Sequence, residues 1–290
     1  MILKYIFRHT NPDFLNRDLE KLTPIDIMLR KAIYHSGFKF GLLLLSTITF
    51  IGVFVPFFVD MSPYDQDISK RLLPPVWSEG GSWKYIFGTD GNGRDYLARI
   101  IYGTRVSLTI GIGAATVGML IGVTLGVIAG YFGGIVDQVV SYILTCQLAL
   151  PGILFLLTII SIVGSSLTVV ILVIGVLHWT LFLVVTRAAT QRIRNLDYIT
   201  AADAIGARKT NIIFTLEVGV AIIAEATISF LGLGIQPPTP SWGVLIAEGK
   251  EAIFFQPWLI ILPGIALFLL VISINMLGDG LRDITDPNTS

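Results

Sequence analysis

Long apolar runs alternate with short polar segments along this chain of 290 residues. Six of the runs are about 20 residues long, which is the length at which an α-helix crosses the hydrocarbon core of a bilayer. The pattern therefore predicts an all-α polytopic membrane protein with six transmembrane helices. The predicted spans are residues 40–59, 106–129, 139–162, 167–185, 212–235 and 257–277.

The distribution of Lys and Arg predicts the orientation, because cytoplasmic segments carry an excess of basic residues. Seven basic residues lie in the segment before and at the start of the first span, and five lie between the fourth and fifth spans. Six spans place both segments on one side, so both termini are predicted to be cytoplasmic. The predicted units are a cytoplasmic segment (1–38), a first helix with an external loop (39–104), and a five-helix core (105–290) with a cytoplasmic loop (187–211). Residues 25–33 also show weak amphipathic turns, which suit a helix on the inner membrane surface.

Composition supports the membrane interpretation and excludes some functions. Hydrophobic residues make up 53% of the chain and charged residues only 14%, against about 25% charged in soluble domains. The formal net charge is zero, so no basic surface indicates a nucleic-acid partner. The single cysteine, Cys146, lies in an apolar run and is expected to be a packing residue.

Small residues recur at every fourth position of the second predicted span. They are Ala114, Gly118, Gly122, Gly126 and Gly130. Such residues fall near one face of a helix and let another helix approach closely in lipid. Two interpretations stay open, packing within one subunit and a helix that lines a pore or faces a second subunit.

A polar segment between the fourth and fifth spans has the features of a short helix. Asp197 suits an N-cap, Tyr198 begins about two helical turns, and Gly206 suits the left-handed position at a helix end. Ala201 and Ala202 leave a smooth surface on which another protein could seat the helix. The segment is either a docking helix for a soluble motor or a solvated connection with basic anchors.

Few ionisable groups lie inside the predicted spans. Glu217 and Glu225 lie in the fifth and His178 in the fourth, and intramembrane ionisable residues are functional candidates. Glu225 is expected to cap or hydrogen-bond a neighbouring helix. In an alternative function, the protein would be a secondary carrier or channel that works without partners, and these three residues would be its ion or proton sites. A purely structural membrane scaffold is a third possible function.

The sequence lacks the common motifs for nucleotide binding, nucleophilic catalysis and metal binding. The chain has no phosphate-binding loop of the form G-x-x-x-x-G-K-[ST], no nucleophile elbow and no His/Cys cluster with metal spacing. We therefore expect a transport subunit that is not an enzyme and holds no metal or other cofactor. Energy for uphill transport must then come from another chain.

Several longer motifs resemble those of the permease subunits of ABC-type dipeptide, oligopeptide and nickel importers, in particular the C-type permease of the pair. The resemblance covers nearly the whole chain. It is carried by F-G-T-D at 87–90, G-R-D at 93–95, Y-G-T-R-V-S-L at 102–108, D-Y to G-A at 197–207, A-E-A at 224–226, S-F-L-G-L-G at 229–234 and Q-P-P-T-P-S-W-G at 236–243.

This resemblance implies a type I importer fold and a set of partners. A homologous second permease would complete the translocation path, two cytoplasmic ATPases would bind ATP and Mg²⁺, and an external binding protein would deliver peptide; membrane lipid surrounds the assembly. The residues it assigns to ATPase coupling are Asp197, Tyr198, Ala201, Ala202, Gly206, Ala207 and Arg208. The external-loop motif comprises Gly88, Asp90, Gly93, Arg94, Asp95 and Trp242, and the candidates for helix packing or the pore are Gly118, Gly122, Gly126 and Glu225.

The chain departs from the family pattern at two places. Thr200 stands where the coupling segment usually has Glu. After Phe214, roughly a dozen residues of the pattern are missing before the A-E-A motif, so that the fifth span is only just long enough to cross. An intact mass equal to 31.7 kDa would show a true deletion, and a larger mass would show residues missing from the printed sequence.

Overall fold

The computed structural model describes residues 24–59, 61–194 and 209–285, and the regular secondary structure in these ranges is helical. Two isolated bridges, Ser82 to Tyr85 and Thr89 to Asp95, are the only extended pairings there. The helices are α1 (Pro24–Tyr34), α2 (Ser36–Phe58), α3 (Tyr96–Phe132), α4 (Gly134–Ala149), α5 (Gly152–Val163), α6 (Leu167–Leu177), α7 (Thr180–Arg194), α8 (Lys209–Phe230), α9 (Trp242–Gly249) and α10 (Trp258–Thr285).

Three helices, α2, α3 and α10, are long and apolar enough to cross a membrane. Two helix pairs each make a bent span, α4 with α5 at 87° and α6 with α7 at 42°, so the described residues hold up to five spans. The prediction of six spans is therefore not confirmed. The fifth predicted span corresponds to α8, which ends at Phe230 and not at Ile235.

The second predicted span begins ten residues too late. Helix α3 starts at Tyr96, where Asp95 caps it by accepting hydrogen bonds from the amides of Leu97 and Ala98. The predicted external loop included Arg99, but Arg99 is fully buried and paired with acidic groups. Helix α3 therefore crosses the predicted boundary at residue 104.

The bend between α4 and α5 has a local cause. Pro151 has no amide hydrogen, and it disfavours helical backbone at the residue before it. Leu150 is accordingly extended, with φ −96° and ψ 135°. At the second bend, His178 takes φ −94° and ψ 13° between α6 and α7. Two of the long apolar runs that were predicted to be single helices are therefore each interrupted by a bend.

Helix α3 lies at the centre of the described structure and packs against α2, α6, α7 and α8. Its buried side chains, such as Ile110 and Ala114, join a core with Ile174 and Ala221. Large apolar side chains elsewhere point outward, including Leu120, Tyr142 and Ile162. Exposed large apolar side chains in this number are typical of a protein surrounded by lipid or by partner chains.

Candidate functional site

Four charged side chains form a buried cluster where α3 begins. Arg94 Nε lies 2.7 Å from Asp90 Oδ2, and Arg99 Nη1 lies 2.5 Å from the same oxygen. Both arginines also contact the carboxylate of Glu248 in α9, Arg94 at 3.0 Å. Charges this deeply buried are stable only when they are paired. We call these four residues the outer ion cluster, after the side of the membrane on which the sequence predicts them.

The turn that leads into α3 requires two glycines. Gly88 and Gly93 have φ of +77° and +73°, a region that side-chain-bearing residues rarely adopt. A Cβ on either would also collide with a carbonyl oxygen, that of Leu73 or that of Asp67. The turn closes as Asp90 Oδ1 accepts from the amide of Arg94 at 3.0 Å. Burial raises the pKa of Asp95, the capping residue of α3.

Trp242 fixes α9 to α3. Its side chain is buried, and its indole Nε1 donates to the carbonyl of Ile100 at 2.9 Å. A Cβ on Gly103 would come within 2.9 Å of the ring, so glycine provides the space. The hydroxyl of Tyr96 donates to the carbonyl of Leu259 in α10. The start of α3, α9 and the start of α10 therefore form one packed unit, the outer block.

Glu225 joins α8 to this outer block. Its Oε1 accepts hydrogen bonds from the hydroxyls of Ser229 and Ser241, each at 2.7 Å. Ser241 is also the N-cap of α9, since its Oγ accepts from the amide of Val244. Within the described part of the chain, the other oxygen, Oε2, is buried without a hydrogen-bond partner. Glu225 thus holds the end of one helix against the start of another.

The small residues of α3 face the bent pair of α6 and α7 within the subunit. A Cβ on Gly118 would lie 3.1 Å from the carbonyl of His178, and one on Gly126 would lie 2.8 Å from Cβ of Thr186. At Gly122 the carbonyl of Trp179 and the side chain of Phe182 leave no room. This geometry corresponds to packing within one subunit, because these positions are covered by the chain itself.

Both helix bends open onto one cavity of about 350 Å³. Its wall combines the α4–α5 junction, the α6–α7 junction and the outer half of α8. Most of the lining is apolar, and Gln147, His178, Thr180 and Thr227 contribute polar groups. Irregular backbone at membrane depth is tolerated only where protein buries it or water reaches it. We call this the helix-break cavity.

Polar side chains connect the two bends. Gln147 donates through Nε2 to the carbonyl of Leu177 at 2.7 Å, and its Oε1 accepts from the indole of Trp179. His178 Nδ1 lies 2.8 Å from Glu217 Oε2 on α8. Sequence reasoning named His178 and Glu217 separately but missed their pairing and the role of Gln147. No local signal marks Gln147, because its partners lie about 30 residues away in the chain.

The predicted coupling residues, Asp197, Tyr198, Ala201, Ala202, Gly206, Ala207 and Arg208, lie outside the described residues. Of the other predicted site residues, the structure brings Asp90 and Arg94 together in the outer ion cluster. It adds Arg99 and Glu248, which sequence reasoning did not select.

Cys146 is a free and exposed cysteine, which corrects the expectation that it packs inside the protein. Among residues 24–59, 61–194 and 209–285, no group of three His, Cys, Asp or Glu could hold a metal ion.

The known proteins that this chain resembles are membrane subunits of transport systems. Residues 122–290 match the family model described as "Binding-protein-dependent transport system inner membrane component". The chain is 34% identical over 280 residues to the di/tripeptide transport system permease protein DppC of Pseudomonas aeruginosa, covering 91% of this chain and 92% of that protein. It is 35% identical over 268 residues to the dipeptide transport system permease protein DppC of Haemophilus influenzae, covering 87% and 91%.

A third relative is named for a different substrate. The glutathione transport system permease protein GsiD of Pectobacterium atrosepticum is 35% identical over 225 residues, covering 72% of this chain and 75% of that protein. All three relatives are transport permeases. They do not favour the alternative of an ion-coupled carrier that works alone.

Proposed function

Because this chain belongs to the binding-protein-dependent transport system inner membrane components, we propose that it forms, with a second permease, the path through which di- or oligopeptides cross the inner membrane. The observation that carries the proposal is 34% identity to a di/tripeptide permease across 91% of the chain. The helix-break cavity supports it, since discontinuous helices often build the substrate path of transporters.

The energy for transport comes from partner chains in this proposal. The sequence has no phosphate-binding loop, so two cytoplasmic ATPases supply ATP hydrolysis and hold the Mg²⁺. Residues 197–208 are the segment that the ATPases grip, with Ala201, Ala202 and Gly206 at the contact. ATP binding then drives alternating access by moving this segment between two states, and hydrolysis resets it. The chain itself is not an enzyme.

The external side binds the substrate-delivery protein in this proposal. The segment before α3 and the segment that contains α9 both belong to or adjoin the outer block, and both face outward if the termini are cytoplasmic. The outer ion cluster holds these segments in a fixed relation. Peptide delivered there would pass between this subunit and the second permease toward the cytoplasm.

Purification of the chain from its native membrane in mild detergent tests this assembly. We expect a second permease of similar size and two phosphate-loop ATPases in near-equal amounts. A chain that purifies alone or as a homodimer, remains folded and carries no ATPase would contradict the proposal and return attention to His178 and Glu217 as ion sites.

A further inference from the structure

Helix α1 presents an apolar face that the described chain leaves uncovered. One side of α1 packs against α10 and α2. On the other side, Leu29, Ile33 and Tyr34 are 58%, 63% and 63% exposed. With 3.6 residues per turn, Arg30 falls on this same side. An exposed face of this kind on a short helix needs a partner of matching chemistry.

The helix that carries the apolar face directly precedes a predicted membrane span in the chain. Directly after α1, Phe40 and Leu43 of α2 are 54% and 67% exposed, and α2 is long and apolar enough to cross a bilayer. Side chains on that surface meet lipid or another membrane chain. Only His35 separates α1 from α2, so α1 lies where this span meets the headgroup region.

His35 fixes the angle at which α1 leaves α2. Its backbone is extended, with φ −75° and ψ 106°, so the two helices are not one continuous rod. Its Nδ1 accepts from the amide of Phe38 at 2.9 Å, and its Nε2 lies 3.1 Å from Asp283 in the last turn of α10. Helix α1 is therefore attached to the end of the bundle where α2 begins and α10 ends.

The charges beside this face suit a bilayer surface. Arg30 is half-buried, and Lys39 is exposed at the second turn of α2. Long basic side chains near an apolar face place their stems on lipid and their charged groups at phosphates. Aromatic residues such as Tyr34 favour the same depth.

We propose that α1 is an interfacial helix whose Leu29, Ile33 and Tyr34 insert into the headgroup–acyl boundary of the bilayer, with Arg30 and Lys39 at lipid phosphates. The occupant of the face is the lipid surface, because α1 adjoins the start of the α2 span and basic side chains lie beside the face. The proposal does not depend on what the protein transports.

Spin-label accessibility of the full chain in liposomes tests the proposal. Cys146→Ser removes the only cysteine, and single cysteines are then introduced as Leu29→Cys or Ile33→Cys and labelled with a nitroxide. Leu43→Cys on α2 is the matched lipid control, and Glu79→Cys, at an exposed position of the external segment, is the water control. All four positions are exposed, so the labels are expected to leave the fold intact.

Collision rates with oxygen, which concentrates in lipid, and with a water-soluble nickel complex then give the environment of each label. We expect the oxygen-to-nickel ratio at Leu29 and Ile33 to exceed that at Glu79 and to approach that at Leu43. A ratio equal to that at Glu79 would mean a helix in water and would overturn the proposal. Low rates with both reagents and an immobile spectrum, in liposomes or in the assembled transporter, would mean a protein cover and would overturn it as well.

Discussion

Glu248 completes the outer ion cluster, although nothing near it in the sequence indicates that role. Asp90 and Arg94 stand four residues apart in a recognisable motif, so their importance could be predicted. Arg99 reads as an ordinary basic residue of a loop, and Glu248 lies 149 residues beyond it in the chain. A pairing over this distance depends on how α9 folds back onto α3, which local patterns do not determine.

Removing Glu248 should destabilise the protein, because two arginines would then share one carboxylate in a buried site. We expect Glu248→Ala to lower the free energy of unfolding by about 3 kcal/mol, the low end of the range for breaking a buried pair, since the Glu248 side chain is 26% exposed. Denaturant titration in detergent measures the change. Glu251→Ala, at an exposed position one turn later, is the matched control, and equal stability of the two variants would contradict the prediction.

Asp95 gives a pH-dependent prediction. Burial raises its folded pKa above the ordinary value of 3.8, so the folded state binds the proton more tightly than the unfolded chain does. The stability that Asp95 contributes is therefore present below pH 3.8 and is lost as the pH rises through the folded pKa. Asn caps a helix as well as Asp and carries no charge. Asp95→Asn should match or exceed the wild-type stability at neutral pH and lose that advantage in acid.

Thermal unfolding of wild type and Asp95→Asn, from acid to neutral pH, measures the difference in stability between the two proteins. Asp95→Ala serves as a control for the cap itself and should be about 1 kcal/mol less stable than Asp95→Asn at any pH. A difference between wild type and Asp95→Asn that does not change with pH would contradict the assignment.

At the scale of helices, apolar runs predict that a segment lies in the membrane but not whether it is straight. Pro151 provided a physical signal for the first bend, since proline interrupts a helix at the residue before it. The bend at His178 has no such signal, and it depends on contacts with Glu217 and with Gln147 across the cavity. The start of α3 was misplaced for a similar reason, because the ion pairs that allow Arg99 to be buried form with distant residues.

Gln147 should stabilise the two bends by satisfying a carbonyl that the helix break leaves free. Gln147→Leu keeps a similar volume but leaves the carbonyl of Leu177 and the indole of Trp179 without their partner. We expect a loss of about 1–3 kcal/mol, the cost of an unsatisfied buried polar group. Unfolding in detergent measures it, with Gln138→Leu at an exposed position of α4 as the control. No difference between the two variants would contradict this role.

The α3–α7 interface should tolerate no side chain at Gly122. A Cβ there meets the backbone of Trp179 and lies 2.6 Å from Cβ of Phe182, so Gly122→Ala should destabilise by about 1–3 kcal/mol through overpacking. Gly264 in α10 has no atom within 4 Å of the same position. Gly264→Ala should therefore be neutral or stabilise by about 0.5–1 kcal/mol. Thermal unfolding distinguishes the two, and a stable Gly122→Ala would contradict close packing of these helices.

At the scale of the whole molecule, the described residues divide into two regions of different character. Ion pairs and buried hydrogen bonds hold the outer block together, while the two bent spans surround a cavity with few polar contacts. A closely packed outer block suits a surface that receives a partner, and interrupted helices suit a part that changes shape. The all-helical membrane class and the family could be predicted from the sequence, because composition and motifs are local. The charge pairs and the helix bends could be identified only from the folded structure.

Peptide uptake into proteoliposomes tests the central claim most directly. The chain is reconstituted with the second permease, the ATPases and the binding protein, and uptake of a labelled dipeptide is followed with and without ATP. We predict uptake that requires ATP and every partner, and we predict that Gly206→Pro abolishes uptake while ATP hydrolysis continues. Uptake by this chain alone, driven by an ion gradient and indifferent to ATP, would contradict the account.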